Sequence, residues 1–158
     1  MQRTEISSES APGVPLRDAR LSERLRSAGL KVTAPRLAVL STLERGGHPD
    51  AETVYGSVRE QLGSSSLQAV YGVLSALCDA GLAKKIEPAG STARFEARIG
   101  DNHHHLICSG CGRIEDVDCA TGSAPCLTPV SDHGFAVHTA EVTYWGTCPD
   151  CQAAATAG

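Results

Sequence analysis

The chain has 158 residues, enough for one ordinary domain or two small ones. Apolar residues make up 41%, which excludes a globally disordered chain, and the net charge of −4 gives no reason by itself to expect a nucleic-acid partner. The start MQRTEISSES lacks the apolar core of a signal peptide, and no apolar run approaches the ~18 residues of a membrane span, so a cytoplasmic protein is expected.

The charge is unevenly spread. Residues 19–92 carry nine Lys/Arg against seven acids, and residues 93–158 carry three Arg against eight acids. Six of the seven cysteines and five of the six histidines fall in the second stretch. A mildly basic half therefore precedes an acidic half rich in metal-ligand side chains. In a reducing compartment such cysteines point to metal or redox chemistry before structural disulfides.

Residues 1–18 are rich in Ser, Pro and small side chains and read as a disordered extension. Leu21, Leu25 and Ala28 share one face of a first helix closed by Gly29. Thr33 can cap a second helix, with Pro35 in its first turn, Leu37, Leu40 and Leu43 inward, and Gly46-Gly47 at its end. Asp50 can cap a third helix with Val54, Val58 and Leu62 inward. Ser65 followed by Gln68 has the spacing of a capping box for a fourth. That helix puts Leu67, Val70, Leu74, Leu77 and Cys78 on one face and Gln68, Gly72 and Ser75 on the other, with Tyr71 between them. Two short strands, 82–87 and 92–97, follow around Pro88-Ala89-Gly90.

Helices followed by a β-hairpin form the pattern of a winged helix-turn-helix, with the fourth helix in the recognition position. Lys31 and Arg36 flank the start of the second helix, and Lys84 and Lys85 lie on the wing. Pattern alone leaves two readings: a DNA-binding unit, or a small helical domain with a solvated polar face.

Cys108-Ser-Gly-Cys111 and Cys148-Pro-Asp-Cys151 are two C-x-x-C turns separated by 36 residues. Each turn brings two thiolates to one ion, and two turns complete a tetrahedral zinc site with no open position, hence a structural one. A thioredoxin-like redox role for Trp145-Gly-Thr-Cys148-Pro-Asp-Cys151 would need a following helix, and the tail 153–158 reads as flexible. Cys119 and Cys126 read as loop thiols, with a stress-formed disulfide or an auxiliary metal contact as alternatives.

His103-His104-His105-Leu106-Ile107 is strand-like, so His103 and His105 point together and His104 points away. Two imidazoles at i and i+2 form half of a metal site, and Asp116 on a returning strand, 113–117, can come back to it. A surface histidine cluster is the other reading.

The stretches AGLKVTAPR, HPDAETVY, AVYGVLSALCDAGL, RFEA, HHHLICSGCGRIEDV and YWGTCPDC resemble the ferric-uptake-regulator (Fur) family of metal-dependent bacterial repressors, from Ala28 to Cys151. DVDCATGSAPCL and AEVTYWGTCPDC resemble its actinobacterial FurA/CatR branch, associated with catalase-peroxidase and the peroxide response. The resemblance implies an α+β protein that is no enzyme: a winged-helix domain over 19–92, a hinge over 93–101, and a small α/β dimerisation domain over 102–152. It implies a homodimer on double-stranded operator DNA, structural Zn(2+) on the four cysteines, and a regulatory Fe(2+) or Mn(2+) site at His48, Glu96, His103, His105 and Asp116.

It further places Tyr71 against bases and Lys31 in the minor groove; Arg36 by the second helix start, Gln68 on the polar face of the fourth helix, and Lys84 and Lys85 on the wing complete the expected DNA contacts by their placement. Asp116 matches the peroxide-sensing members, whereas Glu96 stands where some of them have Asp. Gly72 replaces a charged residue of many relatives, Pro125 and Pro129 would break a dimerisation helix, and Ala140 removes a histidine of a third metal site.

Overall fold

The computed structural model describes residues 16–101, 103–118, 131, 133–136 and 142–156. The helical half contains α1 (Leu16–Ser27), α2 (Ala34–Leu43), α3 (Ala51–Leu62) and α4 (Leu67–Asp79). A two-stranded antiparallel wing, β1 (Lys84–Ile86) and β2 (Arg94–Glu96), follows. The sheet half contains β3 (His103–Cys108), β4 (Ile114–Asp118) and β5 (Thr143–Gly146), in the order β4-β3-β5, then α5 (Pro149–Thr156). β4 runs antiparallel to β3, and β5 runs parallel to it. Among the described residues no helix is long and apolar enough to cross a membrane.

The helices start and stop where side chains satisfy free backbone groups. Thr33 Oγ1 accepts the Arg36 N–H at the start of α2, and Asp50 Oδ1 accepts the Thr53 N–H at 2.8 Å at the start of α3. Gly63 ends α3 with a left-handed φ of 73°. Leu21, Leu25, Leu40, Val54, Val58, Val70, Leu74 and Leu77 are buried together in one core, and each contributes about 1.5–3 kcal/mol by leaving water. Arg20 and Arg24 of α1 both grip Glu44, the residue that caps α2. This grip holds the chain just before the Gly46-Gly47-His48 turn.

Three boundaries differ from expectation. α1 begins at Leu16, inside the stretch expected to be disordered. The cap of α4 is Ser66, whose Oγ accepts the Ala69 N–H at 3.1 Å, and not Ser65 with Gln68. Ser64, Ser65 and Ser66 offer equivalent hydroxyls, and the one beside the first helical residue takes the cap. Helix α5 occupies 149–156, where a flexible tail from 153 was expected. Pro at its first position and an alanine run suit a helix without any apolar stripe to announce it. The expectations for Cys119, Pro125, Cys126, Pro129 and Ala140 concern positions outside the described residues.

One contact between loop and strand sets up the functional site. The Phe95 N–H donates to the Pro49 carbonyl at 3.0 Å, and Asp50 forms a bridge with Arg94. Strand β2 is thereby laid beside the loop that carries His48.

Candidate metal centres

The two C-x-x-C turns converge. One Sγ from each of Cys108, Cys111, Cys148 and Cys151 lies within 4.8 Å of all the others. A tetrahedral zinc with bonds of ~2.3 Å separates its sulfurs by about 3.8 Å, and Cys111 and Cys148 stand 3.7 Å apart. The register explains the meeting: β3 ends at Cys108, opposite Gly146 of β5, two residues before Cys148. The Cys148 N–H points at Cys108 Sγ at 3.2 Å. Backbone N–H groups of Cys148 and Cys111 pull the Cys108 thiol down to about 6, whereas its sulfur neighbours, Cys148 first, push Cys151 up to about 12. One cysteine is thus prepared as a thiolate while its neighbours crowd it, a charge arrangement that a dication at the centre relieves. Gly110 fits the same reading, since a Cβ there would sit 3.1 Å from Cys151 Sγ. Cys148 and Cys151 do stand at a helix start, unlike the loose tail expected, but their sulfurs face two other cysteines instead of a redox partner.

The second cluster draws on both halves. His48 follows Gly46 and Gly47, and all three have left-handed backbone, with φ of 79°, 85° and 48°. A non-glycine residue in that region is uncommon and marks an over-determined position. The turn drives the His48 ring inward, to 6% exposure. Glu96, at the end of β2, is 4% exposed. On β3, His103 and His105 point to the same side, and His105 is the direct cross-strand partner of Asp116 on β4, so the two share a face.

The five side chains lie close to one another. His48, His103 and His105 bring Nε2 to 3.3, 3.1 and 3.3 Å from Glu96 Oε2, and to 2.8, 3.7 and 3.7 Å from Asp116 Oδ1. His48, Glu96, His105 and Asp116 each place one ligand atom within 4.8 Å of the rest, and His103 reaches the same two oxygens from the side. The His48 and His103 rings both stand edge-on to His105, at interplanar angles of 88°.

A metal ion fits this group. His48 Nε2 and Asp116 Oδ1 are buried and close, yet neither has a properly aligned hydrogen-bond partner. Buried polar atoms that lie close together without an aligned hydrogen bond suit an ion that would bind them in common. Three imidazole nitrogens and two carboxylate oxygens form a set suited to Fe(II) or Mn(II), harder than a thiolate cage. Burial pushes the Glu96 carboxyl up, but the His48 and His105 rings beside it outweigh this and hold it at about 2. Burial likewise lowers His48, and the approach of Glu96 and Asp116 more than reverses it, leaving the ring above its ordinary 6.5. An opening of about 360 Å³ between Arg20, Glu44, Arg98 and the cluster leads solvent to His48, Glu96 and Asp116.

His104 points the other way, is 9% exposed, and packs edge-on to Tyr144. It belongs to neither cluster.

Of the residues expected at DNA, Lys31 lies ahead of α2, Arg36 in α2, Gln68 and Tyr71 in α4, and Lys84 and Lys85 on the wing. Lys31, Gln68 and Tyr71 are exposed, Tyr71 by 49%. Arg36 donates to the Lys31 carbonyl at 2.9 Å and so braces that loop. Lys84 and Lys85 alternate across β1, so they face opposite sides of the wing: Lys84 pairs in register with Glu96, and Lys85 is held by Glu87 at 2.6 Å. Residue-by-residue reading missed Arg98 and Asp101. Asp101 Oδ1 lies 2.6 Å from His103 Nδ1, and Arg98 binds Asp101, Asp116 and Asp118. The only signal in the chain was a charged pair just ahead of the histidine run.

The pattern of the family described as "Ferric uptake regulator family" matches residues 27–145. The chain belongs to this family. "Transcriptional regulator FurA" of Mycobacterium tuberculosis is 57% identical over 130 residues, covering 82% of this chain and 88% of that protein. Among solved structures, the Helicobacter pylori ferric uptake regulator, described as having three functional metal binding sites, aligns with a TM-score of 0.64 at 25% identity, covering 86% of this chain and 91% of the other. The Campylobacter jejuni peroxide stress regulator aligns at 0.61 and 26% identity, covering 84% and 97%. The protein is therefore a metal-responsive transcriptional regulator with the family's α+β architecture, and not an enzyme.

Proposed function

We propose that this Fur-family regulator is a cytoplasmic repressor that binds operator DNA as a homodimer. Zn(II) on Cys108, Cys111, Cys148 and Cys151 holds the sheet half together, and Fe(II) or Mn(II) on His48, Glu96, His103, His105 and Asp116 makes the chain competent to repress. Peroxide or metal loss then releases it from genes of the catalase-peroxidase and oxidative-stress type. The supporting observation is that one ligand cluster is assembled from two halves of the chain. His48 and Glu96 come from the helical half and its wing, and His103, His105 and Asp116 come from the sheet.

An ion that needs all five ligands favours the one orientation of the halves in which they meet, and by that differential affinity shifts the population toward it. In a dimer, that orientation sets the spacing of the two α4 helices to two half-sites. Tyr71 and Gln68 then face base edges, while Lys31, Arg36, Lys84 and Lys85 supply positive charge to the backbone and grooves.

Fe(II) held by His48, Glu96, His103, His105 and Asp116 would supply the one-electron reducing power that hydrogen peroxide needs to give a reactive oxidant, and Mn(II) there would not. The rings of His48 and His103 stand beside that position and are the groups exposed to the oxidant formed. The opening beside Arg98 is lined by His48, Glu96 and Asp116. The test treats the iron-loaded and manganese-loaded forms with peroxide and combines peptide mass spectrometry with DNA binding. One added oxygen on a His48 or His103 peptide, in the iron form alone and unreversed by reductant, supports peroxide sensing. Unmodified histidines with retained DNA binding make the protein an iron-responsive repressor without peroxide sensing. Full recovery on adding reductant assigns the response to cysteines.

A further inference from the structure

We propose that Asp101 is a positioning residue for the regulatory metal ligand His103, and that Arg98 clamps Asp101 and Asp116 into one unit. This rests on the metal site described above. Imidazoles that bind metals through one nitrogen commonly give the other N–H to a carboxylate, which fixes both ring orientation and tautomer. His103 has this arrangement: Nε2 faces Glu96 and Asp116, and Nδ1 faces Asp101 Oδ1 at 2.6 Å. Asp101 is itself held from behind, with its Oδ2 2.6 Å from Arg98 Nε.

The same guanidinium reaches the other ligand strand. Arg98 Nη1 lies 3.6 Å from Asp116 Oδ2, and Nη2 lies 2.5 Å from Asp118 Oδ1. Asp116 thus keeps Oδ1 turned toward the histidines while Oδ2 faces the arginine within ion-pair range. Two nitrogens of one planar fork are hydrogen-bonded and the third stands within ion-pair range of Asp116, a geometry that the point charge of a lysine does not reproduce. Arg98 and Asp101 lie between β2 and β3, in the segment that joins the halves. The junction therefore carries the residues that aim two of the five ligands.

A stabilising ion pair is a weak explanation for this network. The side chains of Arg98 and Asp101 are 41% and 43% exposed, and exposed pairs contribute little to folding. A purely electrostatic role makes the opposite forecast for the metal. Removing a cation near the site should tighten the binding of a dication, whereas removing a clamp should loosen it.

The experiment titrates Co(II) into the full-length, zinc-loaded protein and follows the visible d–d bands. Asp101→Ala is expected to weaken Co(II) binding about 10–100-fold and to change the bands. Asp101→Asn keeps an oxygen acceptor for His103 Nδ1 and should recover part of the loss. Arg98→Ala should also weaken binding despite the lost positive charge, and Arg98→Lys should restore less than half of it. Zinc content and thermal unfolding of the cobalt-free protein should match the parent, which separates positioning from a folding defect. Unchanged affinity in Asp101→Ala, or tighter binding in Arg98→Ala, overturns the proposal while leaving the metal site intact. Absence of Co(II) binding by the parent itself overturns both. Should Asp101→Ala fail to fold, the Asp101→Asn and Arg98→Lys comparison decides by the same criteria.

Discussion

His48 Nε2 lies 2.8 Å from Asp116 Oδ1, although 67 residues separate the two in the chain. His48 belongs to the turn between α2 and α3, and Asp116 to the sheet. Their meeting joins the two halves at the point where a metal can act on both. On the proposed assignment, His48→Ala should leave the four-cysteine cluster intact and remove a ligand from the second site. We expect zinc content equal to the parent and Mn(II) affinity at least tenfold lower, measured by competition with a metal-sensitive dye. Parent-like Mn(II) affinity would show that the five side chains do not form one site.

The four-cysteine cluster, with zinc proposed at its centre, gives a steric prediction. A Cβ at Gly110 would lie 3.1 Å from Cys151 Sγ. A free cysteine could rotate away, but a zinc-bound sulfur has little freedom. Gly110→Ala should thus accelerate zinc loss to a chelator, and zinc loss should melt the sheet half, because binding free energy here is also folding free energy. Cys108→Ser should do the same more severely. Chelator kinetics for Gly110→Ala that match the parent would contradict a tightly held four-sulfur site.

The helices were legible because caps and apolar spacing are local. Thr33 and Asp50 announce α2 and α3, and Leu74 and Leu77 announce the buried face of α4. The C-x-x-C pairs were legible from spacing, and the sharing of one face by His103 and His105 from strand alternation. Helix α5 was not legible, since an alanine run has helix propensity but no periodicity. His48 and Glu96 gave no local signal either, and only the likeness to a family singled them out. Their placement depends on β2 docking beside Pro49, a contact between residues 46 apart, and on three left-handed residues in a row. Arg98 and Asp101 act through the ligands they hold, which only three-dimensional placement shows.

The titration of the metal-free site has two signs. His48 has a raised pKa, so its contribution to stability is fully present below 6.5 and is lost as pH rises through the folded value. Glu96 falls from 4.5 to about 2, so its contribution is present above 4.5 and is lost as pH falls toward 2. The stability difference between the metal-free parent and His48→Ala should therefore be greatest between about 4.5 and 6.5. Metal affinity should run the other way and increase above pH 6.5, because the ion requires the neutral ring. Denaturant unfolding of both proteins across this range checks the first point, and Mn(II) titration the second. A stability difference that grows steadily to alkaline pH contradicts the assignment.

The residues proposed to face DNA divide by chemistry. Tyr71, 49% exposed on α4, should act through bases, so Tyr71→Ala should weaken binding to a selected duplex about 5–50-fold more than to a random one. Lys85→Ala should weaken both duplexes alike and reduce the salt dependence by about one phosphate contact. Salt-titrated anisotropy on the two duplexes distinguishes them. Equal losses on both duplexes for Tyr71→Ala would exclude base contact.

The most direct test of the central claim is DNA affinity as a function of Mn(II), for the zinc-loaded parent and for His48→Ala, on a duplex selected from a random pool by the manganese form. The account predicts that parent affinity rises at least tenfold as the regulatory site fills, and that His48→Ala stays at the metal-free level at those concentrations. A His48→Ala protein that keeps the full manganese response would contradict it.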